Sequence, residues 1–176
     1  MFGNIKSFLA KMLGIDSLAF KGKFTMQHIR DGQVIGEYEI PNGVTNSAKD
    51  TALDILFYTA SKISNWYCGL ISGASYSGVA AADTMASHAG WLEFTGYSQA
   101  NRVAWGTGAP SSQVVTNSSA MTFSINASGT LKGIFIASNN TKSGTTGTLW
   151  STALFAADLS VNSGDSLNFT YTVNVS

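Results

Sequence analysis

Between residues 121 and 175 apolar side chains keep returning at every second position, and this alternation constrains the fold more than any other feature of the chain. Met121, Phe123 and Ile125 alternate with Thr122, Ser124 and Asn126. In the last segment Leu167, Phe169, Tyr171, Val173 and Val175 occupy every second place. A period of two puts one set of side chains on a buried face and the other in water, which is the pattern of a half-buried strand. The stretches TLKGIFIAS and TLWSTALF repeat the strand signal. Ala127-Ser128-Gly129, residues 138–147 and Asn162-Ser163-Gly164-Asp165 separate them as turns or rim loops. Several short strands at this spacing predict an antiparallel β-sandwich or jelly-roll-like body, mainly β, rather than a parallel sheet.

The N-terminal half adds a hairpin and helices. Residues 20–40 read as two strands, with Phe20, Phe24, Met26 and Ile29 on one flank of the first. Asp31-Gly32 between them supplies the two positions that a tight hairpin turn needs. Pro41-Asn42-Gly43 is expected to break the second strand. One long helix is expected over about 46–63, capped by Thr45, Asn46 or Ser47 and lying across a sheet on Ala52, Leu56, Thr59 and Ile63. The run Trp66–Ile71 fits a strand buried on both faces, and residues 79–88 read as a short helix ended by Gly90. Trp91–Phe94 and Arg102–Trp105 read as short strands.

Residues 1–14 carry apolar residues at helical spacing: Phe2, Ile5, Phe8, Leu9, Met12 and Leu13 on one side, Asn4, Lys6, Ser7 and Lys11 on the other. So short a helix is marginal alone in water, so its apolar face must be covered. Three covers are open: its own domain, a neighbouring subunit, or a membrane surface. The chain therefore divides into an amphipathic arm, residues 1–19, and one β-rich domain, residues 20–176. The six apolar residues of the arm are the candidate partner-binding residues. Lys6 and Lys11 interrupt the apolar run, so the arm does not read as a signal peptide.

Charged residues make up 11% of the chain, against about 25% in an average soluble protein. Hydroxyl and amide side chains replace them, giving a surface that is cheap to dry. Ten basic and ten acidic residues cancel, so the basic stripe that binds phosphates is missing and nucleic acid is not expected as a partner. No stretch approaches the roughly 18 apolar residues of a membrane-spanning helix. A lone Cys68, set in an apolar run, cannot form an intramolecular disulfide and reads as a buried, inert thiol.

Templates for catalysis find little. Gly73-Ala74-Ser75-Tyr76-Ser77-Gly78 misplaces the second glycine of a nucleophile elbow by one. The two histidines, His28 and His88, read as structural or surface residues. Asp31 and Asp165 belong to turns, Asp50 and Asp54 to a helix, and Glu37 and Glu39 to one polar strand face. No catalytic residue, cofactor site or metal site is assigned. Trp66, Trp91, Trp105 and Trp150 read as core, with a carbohydrate platform as the alternative.

The segments Asn42–Asn46, Trp66–Ile71, Ala81–Trp91, Phe94–Tyr97 and Arg102–Trp105 resemble a family of tailed-bacteriophage virion structural proteins. The similarity resumes at Gly129–Phe135 and Gly147–Phe155. The resemblance implies a non-enzymatic particle component, made in the host bacterial cytoplasm and carried in the virion, chiefly in its head. A capsid decoration or cement protein is the first expectation. It would bind the major capsid protein or other virion proteins, form homo-oligomers, and touch neither nucleic acid nor membrane. The alternatives are a neck, tail or head-fibre component, or a host-receptor or carbohydrate-binding module.

Overall fold

The computed structural model describes residues 19–175. The amphipathic arm, with Phe2, Ile5, Phe8, Leu9, Met12 and Leu13, lies outside the described residues. What is described is mainly β and antiparallel throughout. The strands are β1 (Phe20–Arg30), β2 (Gln33–Val44), β3 (Trp66–Ser72), β4 (Glu93–Phe94), β5 (Val103–Trp105), β6 (Val114–Thr116), β7 (Met121–Ser124), β8 (Gly129–Ala137), β9 (Leu149–Val161) and β10 (Ser166–Val175). One helix is found among the described residues, α1 (Asn46–Phe57).

All the strands join one sheet in the order β4-β3-β8-β9-β2-β1-β10-β6. β5 shares the outer edge of β3 with β4, and β7 shares the outer edge of β10 with β6. The sheet curls until its ends meet. Trp105 of β5 packs on Tyr171 of β10 with ring centroids 4.8 Å apart, and isolated bridges join Tyr97 to Ile125 and Thr107 to Asn117. The concave face holds one core drawn from both halves, including Phe24, Met26, Cys68, Leu70, Phe123, Ile134, Phe169 and Tyr171. A smaller cluster of Ile71, Met85, Trp91, Phe135, Ala137 and Leu149 lies on the other face of β3 and β8. Those two strands are thus covered on both sides, which is why their sequences run apolar without alternating.

The β1–β2 hairpin turns at Asp31 and Gly32, with φ of 50° and 75°. Both values lie in the left-handed region that this two-residue connection demands. A register shift between His28 and Ile29 changes the inward set. Phe24, Met26 and His28 are buried, whereas Ile29, expected with them, is half-buried. Pro41 does not break β2 as expected. The strand changes partner there, pairing with β1 as far as Pro41 and with Ser151–Ala153 of β9 over Asn42–Val44. At such a handover a residue lacking an N–H is tolerated. β6 was not among the expected strands.

Two helix expectations are corrected. Over residues 79–88 the chain makes turns instead, with a bridge between Thr84 and Ser87. The Asp83 carboxylate accepts from Ala80 N–H and from Trp91 Nε1, both at 2.9 Å, and this local capture outcompetes a helix. α1 starts as expected, its N-cap Thr45 hydroxyl accepting from Ala48 N–H at 3.2 Å. It stops at Phe57 instead of near residue 63, because Asp54 Oδ1 takes the N–H groups of Thr59 and Ala60 at 3.2 and 3.3 Å. α1 meets β9 of the sheet with Ala48 buried and Ala52 and Ile55 half-buried, but Leu56, expected on that side, is not covered. It buries only Ala48, while Leu53, Leu56 and Phe57 are 55%, 57% and 78% exposed.

Candidate functional site

Among the described residues, two buried charged clusters stand out, and each ties separate segments of the fold together. Asp165 ends the turn before β10 and is buried. Its carboxylate meets His28 Nε2 at 2.7 Å, Arg30 Nε and a second guanidinium nitrogen at 2.8 Å each, and Asn162 N–H at 2.8 Å. The Arg30 hydrogen bond, followed by the Asn162 N–H and His28, holds the Asp165 carboxyl well below the usual carboxylate range against the cost of burial. Sequence reasoning placed Asp165 in a turn and missed its burial. A histidine beside an aspartate is half of a hydrolytic triad. Here the pair ties the hairpin end of β1 to the β9–β10 turn, and the carboxylate is saturated by donors.

The second cluster was not foreseen. Glu93 of β4 and Arg102, just before β5, form a fork-to-fork ion pair, with contacts of 2.8, 3.1 and 3.2 Å. The Arg102 side chain is fully buried and Glu93 nearly so. The guanidinium also donates to the carbonyls of Asn139 at 2.9 Å and Gly144 at 3.0 Å, while Ser143 N–H donates to Glu93 at 2.7 Å. Lys142 Nζ sits 3.7 Å from the Tyr97 ring centroid and donates to the Tyr97 carbonyl at 2.7 Å. The rim loop 138–147 is therefore fastened over the ion pair. A cleft of about 330 Å³ opens beside it, lined by His88, Leu92 and Thr145 among others. His88 stacks on Trp91 at 3.9 Å, and its Nδ1 bonds the Trp91 carbonyl oxygen at 3.0 Å. The one available signal in the sequence was an arginine opening the otherwise apolar Arg102–Trp105 segment.

The remaining sequence candidates are dispersed. Glu37 and Glu39 face out from β2, paired with Gln27 and Lys23 at 2.8 Å each. Asp31 lies in the hairpin turn, and Asp50 and Asp54 lie on α1. Cys68 is fully buried, and burial pushes its thiol well above the ordinary value. Trp91 and Trp105 are buried, and Trp66 and Trp150 are half-buried against each other at 5.7 Å. Tyr97, the other aromatic beside these loops, is buried as well.

What the described surface offers instead is an open seam. β2 and β9 pair only where Asn42–Val44 meets Ser151–Ala153. Among the described residues, the outer edge of β2 over residues 33–41 and that of β9 beyond Ala153 have no strand partner. Val34, Ile35, Tyr38 and Leu154 flank the seam at 50%, 51%, 37% and 37% exposure, and the Tyr38 ring stands 6.4 Å from that of Phe155. No family model and no curated protein matches this chain. Unpaired edges flanked by apolar side chains are where a partner's extended segment adds to a sheet.

Proposed function

We propose that this chain is a non-enzymatic structural protein of a tailed-phage virion, acting as a capsid decoration or cement protein through protein–protein contacts. The observation that carries this reading is the seam: two free strand edges near which Val34, Ile35, Tyr38 and Leu154 are exposed, in a body whose described buried charges are already paired to one another. Such a surface suits a neighbouring subunit better than a small substrate. The low charge of the chain and its resemblance to virion proteins support the same reading. On this reading the curled sheet is a relative of the sandwich and jelly-roll bodies. Its partners would be the major capsid protein, other virion proteins or further copies of itself, and its place the particle head.

A neck, tail or head-fibre part would use the same seam. Copy number separates the two, many per particle for a decoration protein and few for a neck component. Protein quantification in purified particles is the test. Abundance near that of the major capsid protein supports decoration, low abundance supports the neck or tail, and absence from particles overturns both. A carbohydrate-binding module is favoured by no observation, since the tryptophans and Tyr97 serve the core.

A further inference from the structure

The two strands beside the seam are unevenly charged. β2 and β9 together hold the carboxylates Glu37, Glu39 and Asp158 and not one basic residue. The lysines that answer them come from the next strand on each side. Lys23 of β1 meets Glu39 at 2.8 Å, and Lys132 of β8 meets Asp158. Among the described residues Glu37 has only a neutral side-chain partner, Gln27, whose Nε2 donates to it at 2.8 Å. Natural sheets commonly guard a free edge with lysine or proline. Here the open edge carries acids, and Pro41 stands only at its end.

The pleat of β2 sorts this edge into two faces. Tyr38 and Ile40 lie opposite Met26 and Phe24 on the core side, whereas Glu37 and Glu39 lie opposite Gln27 and Thr25 on the outer side. A trough of about 510 Å³ lies over the outer side, lined by Thr25, Gln27, Glu37, Glu39, Asn168 and Thr170 among others. Each of these six side chains offers an oxygen acceptor, which suits the heads of long basic side chains laid across it.

Opposite charges on facing residues of paired strands stabilise, and like charges destabilise. Laid antiparallel over the whole of 33–41, two copies of this edge would centre on Glu37 and set their Glu37 carboxylates face to face. The alternating lysines of the described chain, Lys21 and Lys23, sit in β1, inside the sheet between β10 and β2. A second copy is thus the wrong cover for this edge.

We infer that the β2 edge takes up an extended segment of a different protein, with lysine or arginine at alternate positions facing Glu37 and Glu39 and an apolar residue between them beside Tyr38. Main-chain hydrogen bonds hold the segment, and the two carboxylates select it. The inference names the partner chemistry of the seam and rests on reading the seam as a docking surface.

Hydrogen exchange on the full chain, read residue by residue by NMR with short capped peptides, tests it. One peptide alternates lysine with valine, and its counterpart alternates glutamate with valine. At low salt the lysine peptide slows the 33–40 amides that point away from β1 by about tenfold or more, and the glutamate peptide does not. β10 is unmoved. Glu37→Lys/Glu39→Lys inverts the preference. Equal protection by both peptides, protection by neither, or a preference that survives the charge reversal overturns the inference. So does slow exchange of those amides without peptide, which assigns the edge to residues 1–18 of the same chain, or to a second copy where dilution releases it. Co-sedimentation with phage particles separates this inference from the particle role. A charge-reversed variant that pellets like wild type overturns the inference alone. Wild type that fails to pellet overturns the particle role, and the peptide preference then decides the inference by itself.

Discussion

Arg102 and Glu93 meet in a fork-to-fork ion pair whose guanidinium is wholly buried, 2.8 Å from the nearest carboxylate oxygen, beneath the loop that it anchors. Removing one partner strands the other charge away from water. Arg102→Met is expected to cost about 3–5 kcal/mol, measured as a shift of the urea unfolding midpoint. The double variant Arg102→Met/Glu93→Leu is expected to cost less than the single one, because no uncompensated carboxylate then remains.

Asp165 gives the fold an acid dependence whose sign is fixed. Its carboxyl is held below the usual range by Arg30 first, then by Asn162 N–H and His28. A depressed carboxyl stabilises the fold above the unfolded-state value, and that stabilisation is lost as pH falls through the folded one. Unfolding midpoints measured from pH 6 downward should therefore begin to fall near pH 4 (about the ordinary aspartate range). Asp165→Asn should be less stable at pH 6 and flatter below it.

Cys68 is fully buried with its thiol pushed upward by burial. The thiolate is the reactive form. A disulfide reagent at pH 8 should label this residue only at the rate of global opening, and rapidly once the chain is unfolded in urea.

Two glycines separate backbone crowding from mere small size. A Cβ at Gly133 would meet the Ala153 carbonyl oxygen of the paired strand, whereas one at Gly43 finds nothing within 4 Å. Gly133→Ala is expected to destabilise by about 1–3 kcal/mol, the usual range of overpacking. Gly43→Ala should stay within about 0.5 kcal/mol of neutral. Thermal unfolding of the two variants decides the comparison.

The β elements were legible where side chains obey a single period. The alternation of Leu167, Phe169 and Tyr171 located β10, and Asp31-Gly32 located the hairpin, because both signals act over neighbouring residues. Features set by distant partners were not legible. Pro41 reads as a breaker until β9 is seen to take over the pairing. The helical pattern continued past Phe57, and nothing local showed that Asp54 would capture the next N–H groups. Asp83 likewise replaced an expected helix with turns through its bond to Trp91. The Glu93–Arg102 pair joins residues nine apart with carbonyls some forty residues on, a convergence that no periodicity encodes. The apolar faces of α1 and of the seam were not legible as exposed, since a sequence shows which residues are apolar and not whether they are covered.

The seam between β2 and β9 is the surface on which the functional account turns. Val34→Asp/Tyr38→Asp alters only side chains that are a third to a half exposed, so the full-length variant should keep its fold by circular dichroism. The direct measurement is co-sedimentation of the purified protein with phage particles lacking it. Wild type is expected to pellet with the particles and the seam variant to stay in the supernatant. A folded seam variant that pellets as well as wild type would contradict the account.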